Sequence, residues 1–153
     1  PEKNAYLDSY GTLRAHASGG AEELTMQHSI VRRLTPTECE RLQGFPDGWT
    51  DIGEWRDSNG KLHSPSDSPR YKALGNSIAL PFWDFLAKRI SAQYLRPITL
   101  GSLFDGIGGF PLVFERHNGA GTCLWASEIE PFCIAVTTKR FRNTKESKND
   151  NDD

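Results

Sequence analysis

Residues 100–115, LGSLFDGIGGFPLVFE, followed at 123–132 by CLWASEIEPF, decide how this chain is read. Ile98 to Phe104 is a short apolar run that reads as a buried strand, and it ends in a glycine-rich turn, Asp105 to Gly109. Phe110 to about His117 follows as a short helix. Asn118-Gly119-Ala120-Gly121 is a turn and Thr122 to Ala126 a second strand. Pro131 opens a last helix, with Phe132, Ile134, Ala135 and Val136 as its apolar residues. Strand, glycine turn, helix, strand, helix is the beginning of a doubly wound α/β sheet.

The turn also carries chemistry. Glycines at this place let a ligand approach the backbone closely, with amides at the helix N-terminus. The same kind of turn also serves merely to pack a helix on a strand, so alone it is a weak signal. A second signal lies about 20 residues on, where Glu128 closes the second strand. An acid there is placed to hold a ribose hydroxyl in a nucleotide-type site. The alternative for Glu128 is an acid facing the dipole of the last helix, a role that Glu130, directly before Pro131, fits better.

Upstream, Thr35-Pro36-Thr37-Glu38 is a capping box with proline at the first helical position. Leu34 and Cys39 stand at the staple positions and Gly44 is the stop. The helix is expected to run about two turns, with Cys39 and Leu42 inward and Glu40 and Arg41 outward. Ser29 to Arg33 reads as a strand, and Tyr10 to Gly20 as a loop or edge strand. Residues 50–70 are polar, with Asn59-Gly60 as a turn signal, and read as a solvated insertion or small hairpin. SPSDSPR at 64–70 offers little to regular structure. Asn76 or Ser77 is expected to cap a second helix over 78–94, whose stripe is Ile78, Phe82, Phe85, Leu86 and Ile90. Lys145 to Asp153, KESKNDNDD, reads as a disordered tail.

The bulk numbers bound the rest. The chain has 153 residues, room for one domain of ordinary size, with a net charge of −2. A global basic footprint for nucleic acid is therefore excluded, and any DNA contact must be local or come from sequence outside this chain. Cys39, Cys123 and Cys133 are odd in number and widely spaced, which implies neither a zinc site nor a disulfide framework and fits a reducing compartment. No apolar run is long enough for a membrane span, and no signal peptide is visible. A chain that opens on Pro1 and holds one methionine, Met26, reads as a piece of a longer product.

At this point the chain resembles the DNA (cytosine-5) methyltransferase family. LGSLFDGIGGFPLVFE and CLWASEIEPF are similar to the family's motifs I and II, VRRLTPTECERLQGFPD at 31–47 to motif IX, and YKALGNSIALPF at 71–82 to motif X. The GTLRA…GG stretch before residue 30 looks like the tail of a target-recognition region. The resemblance implies an α/β, Rossmann-like fold dependent on S-adenosyl-L-methionine, here with an incomplete sheet. Its segments would be a recognition tail over 1–30, a motif IX and X segment over 31–96, a cofactor segment over 98–141 and the tail 142–153. It implies a cofactor site of Phe104, Asp105, Gly106, Ile107, Gly108 and Gly109, with Glu128 taking ribose hydroxyls, Ile129 packing on adenine, and Asn76 and Ser77 closing the pocket. The family often has an acid where Ser102 stands. Motif IX would organise the recognition region, with Arg41 as a candidate buried ion partner in its helix.

Two departures shape the expectation. Motifs IX and X precede I and II, the reverse of the usual order. In the family fold the motif X helix packs beside the motif I strand, so a linker over residues 92–99, reaching at most ~28 Å, can join them. The family's Pro-Cys and Glu-Asn-Val strings are absent. Its chemistry needs a flipped cytosine, thiolate attack on C6, a glutamic acid supporting N3, and methyl transfer to C5. The three cysteines here read as packed core, so no catalytic residue and no metal ligand is assigned. Three readings follow. The chain is part of a methyltransferase with its catalytic cysteine elsewhere and a duplicate cofactor motif, a circularly permuted enzyme, or a non-catalytic cofactor-binding or complementing subunit. The implied partners are double-stranded DNA, touched mainly by other regions, and the remainder of the enzyme or a partner subunit, with no membrane. The implied setting is the cytoplasm of a prokaryote, with phage-encoded and restriction-modification contexts included.

Overall fold

The computed structural model describes residues 24–27, 30–96 and 98–146. The loop expected at 10–20 and the last residues of the polar tail, 147–153, lie outside them. Leu24–Gln27 (β1) pairs antiparallel with Ile30–Arg33 (β2), Leu24 opposite Arg33. Pro36–Gln43 (α1) starts with the expected capping box: Thr35 accepts from the Glu38 amide at 3.3 Å, and Glu38 accepts from the Thr35 amide at 2.8 Å. It stops at Gly44, whose φ of 82° is the left-handed value that glycine adopts without strain.

The face of α1 differs from the expectation. Cys39 is inward, but so is Glu40, which is fully buried, whereas Leu42 is 54% exposed. Arg41 is not a buried ion partner; it is exposed and pairs with Asp47 at 2.6 Å. The physical reason is that α1 packs its inner side against a polar loop. Glu40 accepts hydrogen bonds from the amides of Gly48 (2.6 Å) and Thr50 (2.8 Å) and from the Thr50 hydroxyl. A carboxylate satisfied in this way can be buried where a leucine would leave those amides orphaned.

Trp55–Arg56 (β3) and Leu62–His63 (β4) form the expected small hairpin around Asn59-Gly60. Asp67–Gly75 (α2) corrects the reading of 64–70 as irregular. Pro69 sits in the first turn of α2, where a missing amide hydrogen costs nothing, so the proline does not break it. Asn76 therefore ends α2 rather than capping the next helix. That helix is Leu80–Ser91 (α3), entered at Ala79 without a side-chain cap. Its inward residues are Leu80 and Ala87, with Trp83 part-buried, while Phe82, Phe85 and Ile90 of the expected stripe are 61%, 53% and 42% exposed.

Leu100–Leu103 (β5), Gly109–Asn118 (α4) and Cys123–Ser127 (β6) form a parallel strand–helix–strand unit, Gly101 beside Trp125 and Leu103 beside Ser127. The expected α/β, Rossmann-like class holds. The sheet is incomplete, because β5 and β6 pair only with each other among the described residues. Pro131–Glu146 (α5) continues beyond Lys145, where the polar tail was expected to begin. The motif X helix α3 packs on α4, the helix that follows the strand.

One core joins the two segments. Leu74, Leu80 and Ala87 from the first cluster with Ile107, Val113, Phe132 and Val136 from the second. Each fully buried aliphatic side chain contributes roughly 1.5–3 kcal/mol. Polar ties reinforce the seam: Asn118 Nδ2 donates to Ser91 Oγ at 2.8 Å, and Lys139 Nζ donates to the Ile52 carbonyl at 2.8 Å.

Candidate functional site

The turn after β5 bends through three left-handed residues, Phe104 (φ 53°), Gly106 (φ 58°) and Gly108 (φ 82°). Phe104 is the one non-glycine residue with positive φ among those described, a strained conformation that leaves its ring 80% exposed. The glycines separate into two roles. A Cβ at Gly108 would stand 2.6 Å from the Phe141 ring, and one at Gly109 would stand 2.9 Å from Leu80. Those two permit close packing. At Gly106 a Cβ would meet none of the described residues within 4 Å, so open space lies over that residue.

Glu128 faces this space. Its Oε2 accepts from the Gly106 amide at 2.6 Å, and its Oε1 from the amides of Ile129 (2.6 Å) and Glu130 (2.9 Å). Burial pushes its pKa up, but the three amides outweigh that and hold it below the usual value. A carboxylate has about four lone-pair sites, so Oε2 keeps capacity for a further donor. Asp105 is 5% exposed and accepts from Ser102 Oγ; its Oδ2 has no hydrogen-bond partner among the described residues. Burial, and then the Glu128 charge, push its carboxyl upward against the Ser102 hydrogen bond.

A cleft of about 180 Å³ gathers these groups, lined by Asn76, Phe104, Gly106 and Glu128 together with Lys72 and Cys133. Of the expected site residues, these first four meet in the cleft. Asp105, Ile107, Gly108 and Gly109 are buried. Ser77 is half-buried, its hydroxyl donating to the Ile78 carbonyl at 3.5 Å. Ile129 is 81% exposed and does not line the cleft. Lys72, which pairs with Glu130 at 3.1 Å, was not anticipated, because α2 was not. Cys133 is 6% exposed, and burial, followed by the charges of Glu128 and Glu130, pushes its thiol up to about 12. Among the described residues no cluster of three or more His, Cys, Asp or Glu suits a metal ion, and no helix is long and apolar enough to cross a membrane.

The residues present fit a nucleoside-bearing cofactor on two observations: the spare acceptor capacity of a low-pKa acid and the open space at Gly106 beside it. Comparison with known proteins places the chain in a family. The family model for C-5 cytosine-specific DNA methylases matches residues 3–92 and 98–153. The DNA N-6-adenine-methyltransferase of Escherichia phage P1 is 44% identical over 85 residues, covering 43% of this chain and 11% of that protein. The type II methyltransferase M.HgiCI of Herpetosiphon aurantiacus is 31% identical over 100 residues, covering 65% and 20%. M.BanI of Aneurinibacillus aneurinilyticus is 44% identical over 76 residues, covering 49% and 15%. The chain thus spans a fifth or less of the length of these relatives. By the extent of the family match, the chain belongs to the C-5 cytosine-specific DNA methylases.

Proposed function

We propose that this chain is the cofactor-binding part of a DNA cytosine-5 methyltransferase, and that the nucleophilic cysteine is supplied from outside it. S-adenosyl-L-methionine, when bound, supplies the electrophilic methyl group. Glu128 would receive the ribose hydroxyls at Oε2, Gly106 would let the ligand lie against the backbone, and Asn76 and Phe104 would close the cleft. The observation that carries this reading is the Glu128 carboxylate, which accepts from three amides beside the open space at Gly106. Ile129, which lies outside the cleft lining, and Ser77, half-buried, carry no part of this reading.

Cys133 stands in the cleft wall, but a buried thiol pushed up to about 12 is a poor nucleophile. The phage P1 relative is named for adenine, but the family match over nearly the whole chain favours cytosine. DNA would be met mainly through other regions, in a bacterial or phage setting. The alternative, a complementing subunit of a split enzyme, is favoured by the exposure of Leu103 and Trp125 (61% and 53%) on the two-stranded sheet.

Calorimetric titration with S-adenosylhomocysteine tests the cofactor reading. Measurable but weak binding, lost in Glu128→Ala, is expected; absence of heat in the wild-type chain overturns it. Tritium transfer from labelled S-adenosylmethionine to DNA by the purified chain would overturn the claim that the nucleophile lies elsewhere.

A further inference from the structure

The loop after α1, residues 44–53, packs Phe45 near Gly109 and hydrogen-bonds to the cofactor turn through Trp49. Trp49 is 8% exposed, and its indole Nε1 donates to the Ile107 carbonyl at 2.7 Å in the interior. Ile107 lies between Gly106 and Gly108, the two left-handed glycines that shape the turn. Its carbonyl lies outside α4, for Gly108 is the N-cap and the Leu112 amide bonds to the Gly108 carbonyl. A buried carbonyl at that place needs a partner from another element.

The donor is itself held in place. The Trp49 ring meets Phe45 at 5.9 Å and Phe141 edge-on at 6.0 Å between centroids, and the Arg140 guanidinium lies over it at 5.6 Å. Arg140 also donates to the carbonyls of Gly48, Trp49 and Asp51, and so fastens the loop to α5.

We infer that Trp49 is a positioning residue for the cofactor turn, its indole N–H fixing the Ile107 carbonyl and with it the left-handed bends at Gly106 and Gly108. The loop at 44–53, which continues motif IX, is then the back wall of the cofactor site. This inference rests on the cofactor reading above.

The test uses the full chain. Trp49→Phe keeps an aromatic ring in the Phe45–Phe141 packing and removes the donor. Trp83→Phe is the matched control, since the Trp83 indole also donates to a carbonyl, that of Phe110, at 3.2 Å. S-adenosylhomocysteine affinity is expected to fall about tenfold in Trp49→Phe, the size of one buried hydrogen bond, and by less than about twofold in Trp83→Phe. The indole N–H resonance missing from the Trp49→Phe spectrum is expected to shift in the wild type when S-adenosylhomocysteine is added, a readout that a merely structural role would not move. Unchanged affinity in Trp49→Phe, or an equal loss in both variants, overturns the inference and leaves the cofactor reading standing. Absence of binding in the wild type overturns both.

Discussion

Arg70 Nη2 lies 3.4 Å from Glu40 Oε1, and the carboxylate it meets is completely buried. Arg70 Nε donates to the Thr50 hydroxyl at 3.0 Å, so α1, the loop at 48–50 and α2 share one polar knot. Because α2 also carries Lys72, Ala73 and Asn76 to the cleft, the knot holds one wall of the candidate site. Glu40→Ala leaves the Gly48 and Thr50 amides without their side-chain acceptor, while Arg70 keeps the Thr50 hydroxyl and Asp67. A buried donor left unsatisfied costs about 1–3 kcal/mol. Urea unfolding should show a loss of this size, and a loss below about 1 kcal/mol would show that water replaces the carboxylate.

Arg32 and Glu38 give the protein a predictable acid response. Bidentate hydrogen bonds from Arg32, then the Thr35 amide, hold the Glu38 carboxyl down to about 2, against an ordinary 4.5. A folded value below the unfolded one means that the contribution is fully present above about 4.5 and is lost as pH falls towards 2. Both side chains are part-exposed, so screening keeps the effect small. The stability gap between the wild type and Glu38→Gln should be constant above pH 5 and close between 4.5 and 2. A gap that persists at pH 2 would assign the effect to packing.

The local devices were legible in the sequence, and the long-range ones were not. The Thr35–Glu38 box, the Gly44 stop, the Asn59-Gly60 hairpin and the strand–turn–helix around Gly106 each depend on a few adjacent residues. The inward face of α1 depends on a loop up to ten positions away, which makes Glu40 core and Leu42 surface. α2 was hidden by a polar composition and by Pro69, harmless in a first turn. Phe82 and Phe85 followed a helical period, yet α3 buries Leu80 and Ala87 against α4 instead. In the cleft, Glu128, Gly106 and Asn76 were readable from motifs. Lys72 was not, since nothing local to 67–75 says that its helix passes beside Glu130.

The cysteines should behave as core thiols. Cys39 is 2% exposed and Cys133 6%, whereas Cys123 is half-buried. With the Cys133 thiol pushed up to about 12, its thiolate is negligible at pH 8. Titration with a chromogenic disulfide reagent at that pH should modify at most one thiol rapidly in the folded chain, and all three after denaturation. Fast native modification of Cys133, located by mass spectrometry, would reopen it as a nucleophile.

The two roles assigned to the turn glycines are separable by one substitution each. Alanine at Gly106 pays only the left-handed penalty of about 1–2 kcal/mol, because its methyl group meets none of the described residues within 4 Å. That methyl projects into the space beside Glu128, where a ligand would lie. Alanine at Gly108 adds a contact of 2.6 Å with Phe141 to the same backbone strain, and overpacking of this kind costs about 1–3 kcal/mol more. Gly106→Ala should therefore stay folded and lose S-adenosylhomocysteine binding, while Gly108→Ala should lower the unfolding midpoint by the larger amount. Thermal unfolding and calorimetry on the two variants decide between this division and a uniform packing role. If Gly106→Ala binds as the wild type does, the open space at that position is not where the ligand sits, and Glu128 loses its part in holding it.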